Sequence, residues 1–135
     1  MTCIKYKNIN KDYFDIPGGK IEDGETAVQA CIREFKEETG MDIDDLKCIG
    51  KVEIIYLNKK FIMETYVANK VIGNPQEFDD NYSYWLPIKE LTEKERRFAI
   101  KHLLDDDMMK CFKSNNLNIL FTCDNSHNIV DMKIR

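Results

Sequence analysis

Glu34, Glu37 and Glu38 lie within one five-residue span of the segment PGGKIEDGETAVQACIREFKEETGM, with Glu22, Asp23 and Glu25 ahead of them and Asp42 just after. At about 100° per residue, Glu38 sits about 40° from Glu34 on a helical wheel and Glu37 about 60° to the other side. The three carboxylates therefore share one face, which also carries the small residues Ala27 and Ala30 and borders an apolar stripe of Val28, Cys31, Ile32 and Phe35. Like charges at this spacing cost a helix a few tenths of a kcal/mol, and more beside a low-dielectric core. Arg33 can pair with Glu37 or reach back to Glu25, which leaves Glu34 and Glu38 short of partners. A hard divalent cation that takes oxygen ligands offsets such a cluster, and Mg²⁺ commonly combines a few carboxylates with substrate phosphates. A glutamate-rich helix containing lysines is more often a plain solvated face. What shifts the balance is the setting: Gly18-Gly19, the Asp23-Gly24 turn and a lone Glu25 make a loop whose backbone carbonyls can join the side-chain oxygens.

The elements that must hold these groups follow from local patterning. A helix is expected from about Thr26, a good N-cap, to Thr39, with Gly40 ending it. TCIKYKN reads as a short strand, and YFDI leads into the Pro17-Gly18-Gly19 loop. LKCIGKVEIIYLN and KFIMETYVANKVIG are rich in β-branched and aromatic residues and read as a long hairpin turning at Asn58-Lys59-Lys60. NPQEFDDN is a loop and YSYWLPI a strand ending at Pro87. A second helix is expected from near Leu91, bending at Asp105-Asp106-Asp107 and reaching toward Lys113. The tail LNILFTCDNSHNIVDMKIR reads as two strands around a polar turn. The whole is one α+β domain spanning residues 1–135, with 115–135 as a C-terminal β-hairpin.

With these residues in view, the segment resembles the Nudix box. The pattern is Gly19, Glu25, Arg33-Glu34, Phe35, Glu37-Glu38, Gly40 and Met41, and every fixed position matches. Softer similarity extends to Pro17-Gly18 and to YWLPIKEL, residues 84–91. The resemblance implies a Nudix fold, an α/β/α sandwich around a mixed β-sheet with a loop-helix-loop catalytic motif. It also implies a pyrophosphohydrolase that cleaves a nucleoside diphosphate linked to another moiety with Mg²⁺ or Mn²⁺. Carried over by position, Glu34, Glu37, Glu38 and the Gly18 carbonyl would be metal ligands, Glu25 would orient the box through Arg33, and Lys20 would contact phosphate. Glu34 would take the proton of the attacking water, with Glu77, Asp79 or Asp80 as competing bases.

The chain departs from the family in its N-terminus, where 18 residues precede Gly19. One strand can enter the box, and the strand usually ahead of it is missing. The C-terminal tail is a candidate to pair into the main sheet in its place, within one chain or across a homodimer; a peripheral hairpin is the equal alternative. Base recognition falls to aromatic residues among Tyr13, Phe14, Tyr56, Phe61, Tyr82, Tyr84 and Trp85. Most of these belong in strand cores, which leaves Phe14 and Tyr82, the latter placed in a loop, as substrate contacts. Marks of ADP-ribose or dinucleoside polyphosphate specificity are not present. The style is that of MutT-type members acting on nucleoside triphosphates, oxidised ones included. A catalytically silent Nudix module binding nucleotide or protein is the alternative, but it has no need of all three box carboxylates.

Bulk properties agree. The 135 residues are 43% hydrophobic and 33% charged, with a net charge of −4. That balance argues against a stable nucleic-acid partner, including the basic groove of a 5′-end RNA pyrophosphohydrolase. No apolar run is long enough to span a membrane. The five cysteines show no C-x-x-C pairing, so reduced thiols in a cytoplasmic protein are expected. His102 reads as structural, His127 and Asp105-Asp106-Asp107 read as solvated, and Arg96 and Arg97 read equally as surface charges or phosphate contacts.

Overall fold

The computed structural model describes residues 2–6, 14–78, 81–85, 110–111, 113–126 and 128–135. Seven strands and one helix lie among them: β1 (Thr2–Tyr6), β2 (Phe14–Asp15), α1 (Ala27–Thr39), β3 (Asp42–Tyr56), β4 (Lys59–Ile72), β5 (Asn81–Trp85), β6 (Ile119–Cys123) and β7 (Ile129–Ile134). The expected second helix falls outside the described residues except for its end, where Ser114 N–H donates to the Lys110 carbonyl (3.1 Å) and Asn116 N–H to that of Cys111 (2.9 Å). Among the described residues no helix is long and apolar enough to cross a membrane.

Contacts divide the chain into two compact units. The first holds the described residues up to Leu46 and from Ala68 to Trp85. Its sheet has the order β2-β1-β5 and is antiparallel, with Ile4 opposite Asp15 and Ser83. Two strands, β1 and β2, therefore precede the glycine loop. This corrects the expectation of a missing strand: Phe14 and Asp15 have backbone partners in Lys5 and Ile4. Helix α1 lies against β5, and Ala30, Thr39, Met41, Ile43, Asn81 and Ser83 are buried in this unit.

The second unit holds Lys47–Val67 and the described residues from Lys110 onward. Here β3 runs parallel to β6, with Val52 opposite Ile119 and Ile54 opposite Phe121, and β6 pairs antiparallel with β7. The order β4-β3-β6-β7 makes a mixed sheet. The tail thus pairs beside β3, whereas the strands ahead of the glycine loop pair in the other sheet, so the tail does not take their place. Ile49, Val52, Leu117, Ile119, Leu120 and Phe121 are buried. The β3–β4 hairpin turns at Leu57-Asn58, one residue earlier than expected. Both residues have positive φ (50° and 60°), the two-residue turn whose twist matches the strands it joins. The β6–β7 turn is held by Asp124, whose Oδ1 accepts from Ser126 and Asn128 N–H at 2.9 Å each.

Candidate active site

The helix that carries the glutamates starts and stops where its sequence directs. Thr26 is the N-cap in a capping box: its hydroxyl accepts from Gln29 N–H (3.1 Å), and Gln29 Oε1 accepts from Thr26 N–H (2.9 Å). Gly40 ends the helix at φ 77°, the left-handed cap that glycine adopts without a Cβ penalty. The apolar stripe does not behave as the wheel suggests. Cys31, Ile32 and Phe35 are only half-buried and Val28 is 38% exposed, while Ala30 and Thr39 are the buried residues of α1. On the glutamate face the glycine loop folds back onto the helix. Gly19 comes so close to Glu34 that a Cβ there would land on the carboxyl group.

Arg33 is the hub of this face. Its Nε and Nη2 donate to the two oxygens of Glu25 at 2.8 and 2.9 Å, a bidentate fork. Nη1 donates to Glu34 Oε1 at 2.8 Å and Glu37 Oε2 at 3.2 Å, and Nη2 also to the Lys20 carbonyl at 2.9 Å. Glu25 closes the loop locally: its Oε1 accepts from Glu22 N–H (3.0 Å), and its own N–H donates to the Glu22 carbonyl (3.1 Å). The Arg33 fork, with the Glu22 N–H second, holds the Glu25 carboxyl down at about 2 from its ordinary 4.5. The same bonds to Glu25 and Glu34 hold the guanidinium charged.

Glu34 and Glu38 are therefore not short of partners. Arg33 holds Glu34, and Glu38 Oε2 accepts from Gly18 N–H at 3.0 Å, across the loop-to-helix gap. The charge conflict read from the wheel is relieved by one shared guanidinium and one backbone donor. Thr39 turns inward, donating to the Phe35 carbonyl (2.6 Å) and accepting from Met41 N–H (3.1 Å).

The structure brings Gly18, Gly19, Lys20, Glu25, Arg33, Glu34, Glu37 and Glu38 together within the first unit. Lys20 is exposed, with its carbonyl rather than its ammonium engaged in this network. Tyr82 is in strand β5, not in a loop, because its backbone pairs with Lys5 and with Glu77; its ring stacks on Tyr84 with centroids 5.8 Å apart. Glu77 is exposed. Phe14 contributes to β2. Tyr13, Asp79, Asp80, Arg96, Arg97, His102, Asp105-Asp106-Asp107 and His127 lie outside the described residues. Cys31, Cys48, Cys111 and Cys123 are free thiols, and burial pushes those of Cys31 and Cys123 up, away from the reactive thiolate. Two residues of the site escaped the sequence reading. Gln29 was legible, since Thr26-x-x-Gln29 is a capping-box pattern. Gln76, whose N–H donates to the Thr39 carbonyl (2.8 Å) behind Gly40, carries no local signal.

The donor set suits a hard cation. It consists of oxygens only, with glutamates outnumbering the one arginine among them. Among the described residues no three acidic, histidine or cysteine side chains converge into a closed cage. Mg²⁺ does not need one, since it keeps several waters and takes one or two carboxylates together with phosphate oxygens.

Comparison with known proteins agrees with this geometry. The NUDIX domain family matches residues 3–106. An oxidized purine nucleoside triphosphate hydrolase of Danio rerio is 33% identical over 76 residues, 55% of this chain and 49% of its own length. An 8-oxo-dGTP diphosphatase of Buchnera aphidicola is 27% identical over 121 residues, 90% of this chain and 91% of its own. The chain spans about half the length or less of the first curated relatives it matches. A crystal structure of a MutT protein from Bacillus halodurans superposes with a TM-score of 0.78 at 18% identity, covering 98% of this chain and 87% of that one, a likeness of fold. A family match over most of the chain, an intact box and the helix-and-sheet arrangement around it converge: the chain belongs to the Nudix family.

Proposed function

We propose that residues 1–135 act as one Nudix hydrolase domain, a cytoplasmic pyrophosphohydrolase that cleaves a nucleoside diphosphate linked to another moiety. The observation that carries this reading is Arg33, which gathers Glu25, Glu34 and Glu37 against the glycine loop. The relatives' names point to oxidised purine nucleoside triphosphates as the substrate class. Glu34, Glu37, Glu38 and the Gly18 carbonyl would hold Mg²⁺ or Mn²⁺, which when bound screens the diphosphate and acidifies a water for attack at phosphorus. Arg33 aims Glu34 and Glu37, and Glu25 locks the guanidinium that does so. With Oε1 of Glu34 held by Arg33, its Oε2 is the proton acceptor. Lys20 reaches the phosphates from the exposed side of the loop, and Phe14 and Tyr82 contact the base.

The test is phosphate or pyrophosphate release over a panel of nucleoside triphosphates, oxidised purines included, with each metal. Glu37→Gln and Glu38→Gln should each lower turnover about 100-fold or more. Undiminished turnover removes the box from the mechanism. Nucleotide binding without any turnover makes the chain a silent binding module instead.

A further inference from the structure

Strand β7 is the outer strand of the four-stranded sheet among the described residues. Its inner neighbour β6 is buried at Ile119, Leu120 and Phe121, yet β7 exposes Val130 (63%), Met132 (37%) and Ile134 (47%). Phe121 lies opposite Met132, and Ile119 opposite Ile134. Cross-strand partners point to the same side of a sheet, so the core face of β6 continues onto β7 and ends there in solvent. No proline blocks residues 129–134, and the strand is regular from Asp131 to Ile134, with a bulge at Val130 where the partner of Thr122 is Asp131 and that of Cys123 is Ile129. Such an edge is a template for another strand.

We propose that the strand that covers it is β7 of a second copy, paired antiparallel about a two-fold axis through Met132. In that register Met132 faces Met132 and Asp131 faces Lys133 twice, all within the regular stretch of the strand, while Ile134 lies beside the bulged Val130 of the other copy. Asp131 and Lys133 are both exposed, and their own contact within the strand is a loose 4.0 Å. Opposite charges directly across an antiparallel pair stabilise it, and like charges destabilise it. Moving the register by two residues either way, which keeps the apolar sides together, sets Asp131 against Asp131 or Lys133 against Lys133. The sequence of this one strand is therefore complementary to itself in a single register, as an isologous contact requires. A contact made by one strand pair is small, which makes the dimer a weak, concentration-dependent one.

Sedimentation velocity from low micromolar to near-millimolar protein tests this. The expected result is a monomer that passes to a dimer as concentration rises. Asp131→Lys alone and Lys133→Asp alone should each weaken association at least about tenfold, and the double reversal should restore it, because it rebuilds both pairs with the signs exchanged. Thermal melting of the dilute variants should match the unaltered protein, since both positions are exposed. As a second measurement, Met132→Cys should give under mild oxidation a dimer whose disulfide joins residue 132 to residue 132, located by peptide mapping so that any link through the exposed Cys48 is told apart. Residues directly opposite in an antiparallel pair have Cα atoms about 4.5–5.5 Å apart, within disulfide reach. A protein that stays monomeric throughout, association untouched by the single reversals, or an edge that takes up an added extended peptide while the protein remains a monomer would each overturn the proposal.

Discussion

Arg33 makes five hydrogen bonds, four of them to carboxylates of three different glutamates. A lysine could satisfy only part of this, because its ammonium is a point charge without the planar fork that meets both oxygens of Glu25. The site is thus aimed by one side chain whose geometry is fixed by its own partners. Gly19 contributes by what it lacks. An alanine there would push its methyl into the Glu34 carboxyl group while leaving the exposed loop free to adjust. Gly19→Ala should therefore lower turnover by roughly 100-fold through misplacement of Glu34. Its effect on folding stability should be within about 0.5 kcal/mol, as for an ordinary exposed position. Steady-state kinetics alongside a denaturant melt would check both halves of the expectation.

At the scale of elements, most boundaries answer to local chemistry. Helix α1 begins at a capping box and ends at a left-handed glycine; β3 and β4 join through two residues of positive φ; the β6–β7 turn is built on one aspartate. The parallel contact of β3 with β6 is different, since parallel neighbours are brought together by the intervening chain and not by a turn. Gly50 marks a close backbone approach just ahead of this contact. Its φ of 145° is a region that side chains avoid, and a Cβ would land on the Leu117 backbone, whose N–H donates to the Ile49 carbonyl at 2.6 Å. Gly50→Ala has no flexible neighbour to displace. It should cost at least about 2 kcal/mol by chemical denaturation, from backbone strain and overpacking together. Gly18→Ala, with open space around it, should leave stability within about 0.5 kcal/mol and serves as the comparison.

At the scale of the whole molecule, the box links activity to acid stability. Glu25 titrates near 2 when folded and at its ordinary 4.5 when unfolded, so folding favours its ionised form. The stabilisation it supplies is complete above about 4.5 and is lost as pH falls from there toward about 2. A series of melts should show the midpoint falling with acid over that window, with a shallower fall in Glu25→Gln. An equally steep fall in that variant would assign the acid sensitivity to other carboxylates.

What the sequence alone determined is the box and its caps. The spacing of Gly19, Glu25, Arg33, Glu34, Glu37 and Glu38 follows from helical periodicity and a loop of given length, so the family, the helix limits and the cluster of carboxylates could be read directly. The β3–β4 hairpin and the tail hairpin were legible for the same reason, because their signals lie within a few residues of the turn. The tertiary structure alone decided which partners relieve the charge. Gly18 N–H lies 20 residues from Glu38, and nothing local announces that the loop returns over Glu34 and Glu38. It also decided that β1 pairs with β5, which the sequence reading had not joined, and that β6 enters parallel beside β3. Those choices rest on contacts between residues far apart in the chain, whose closure has an entropic cost that only the assembled core offsets.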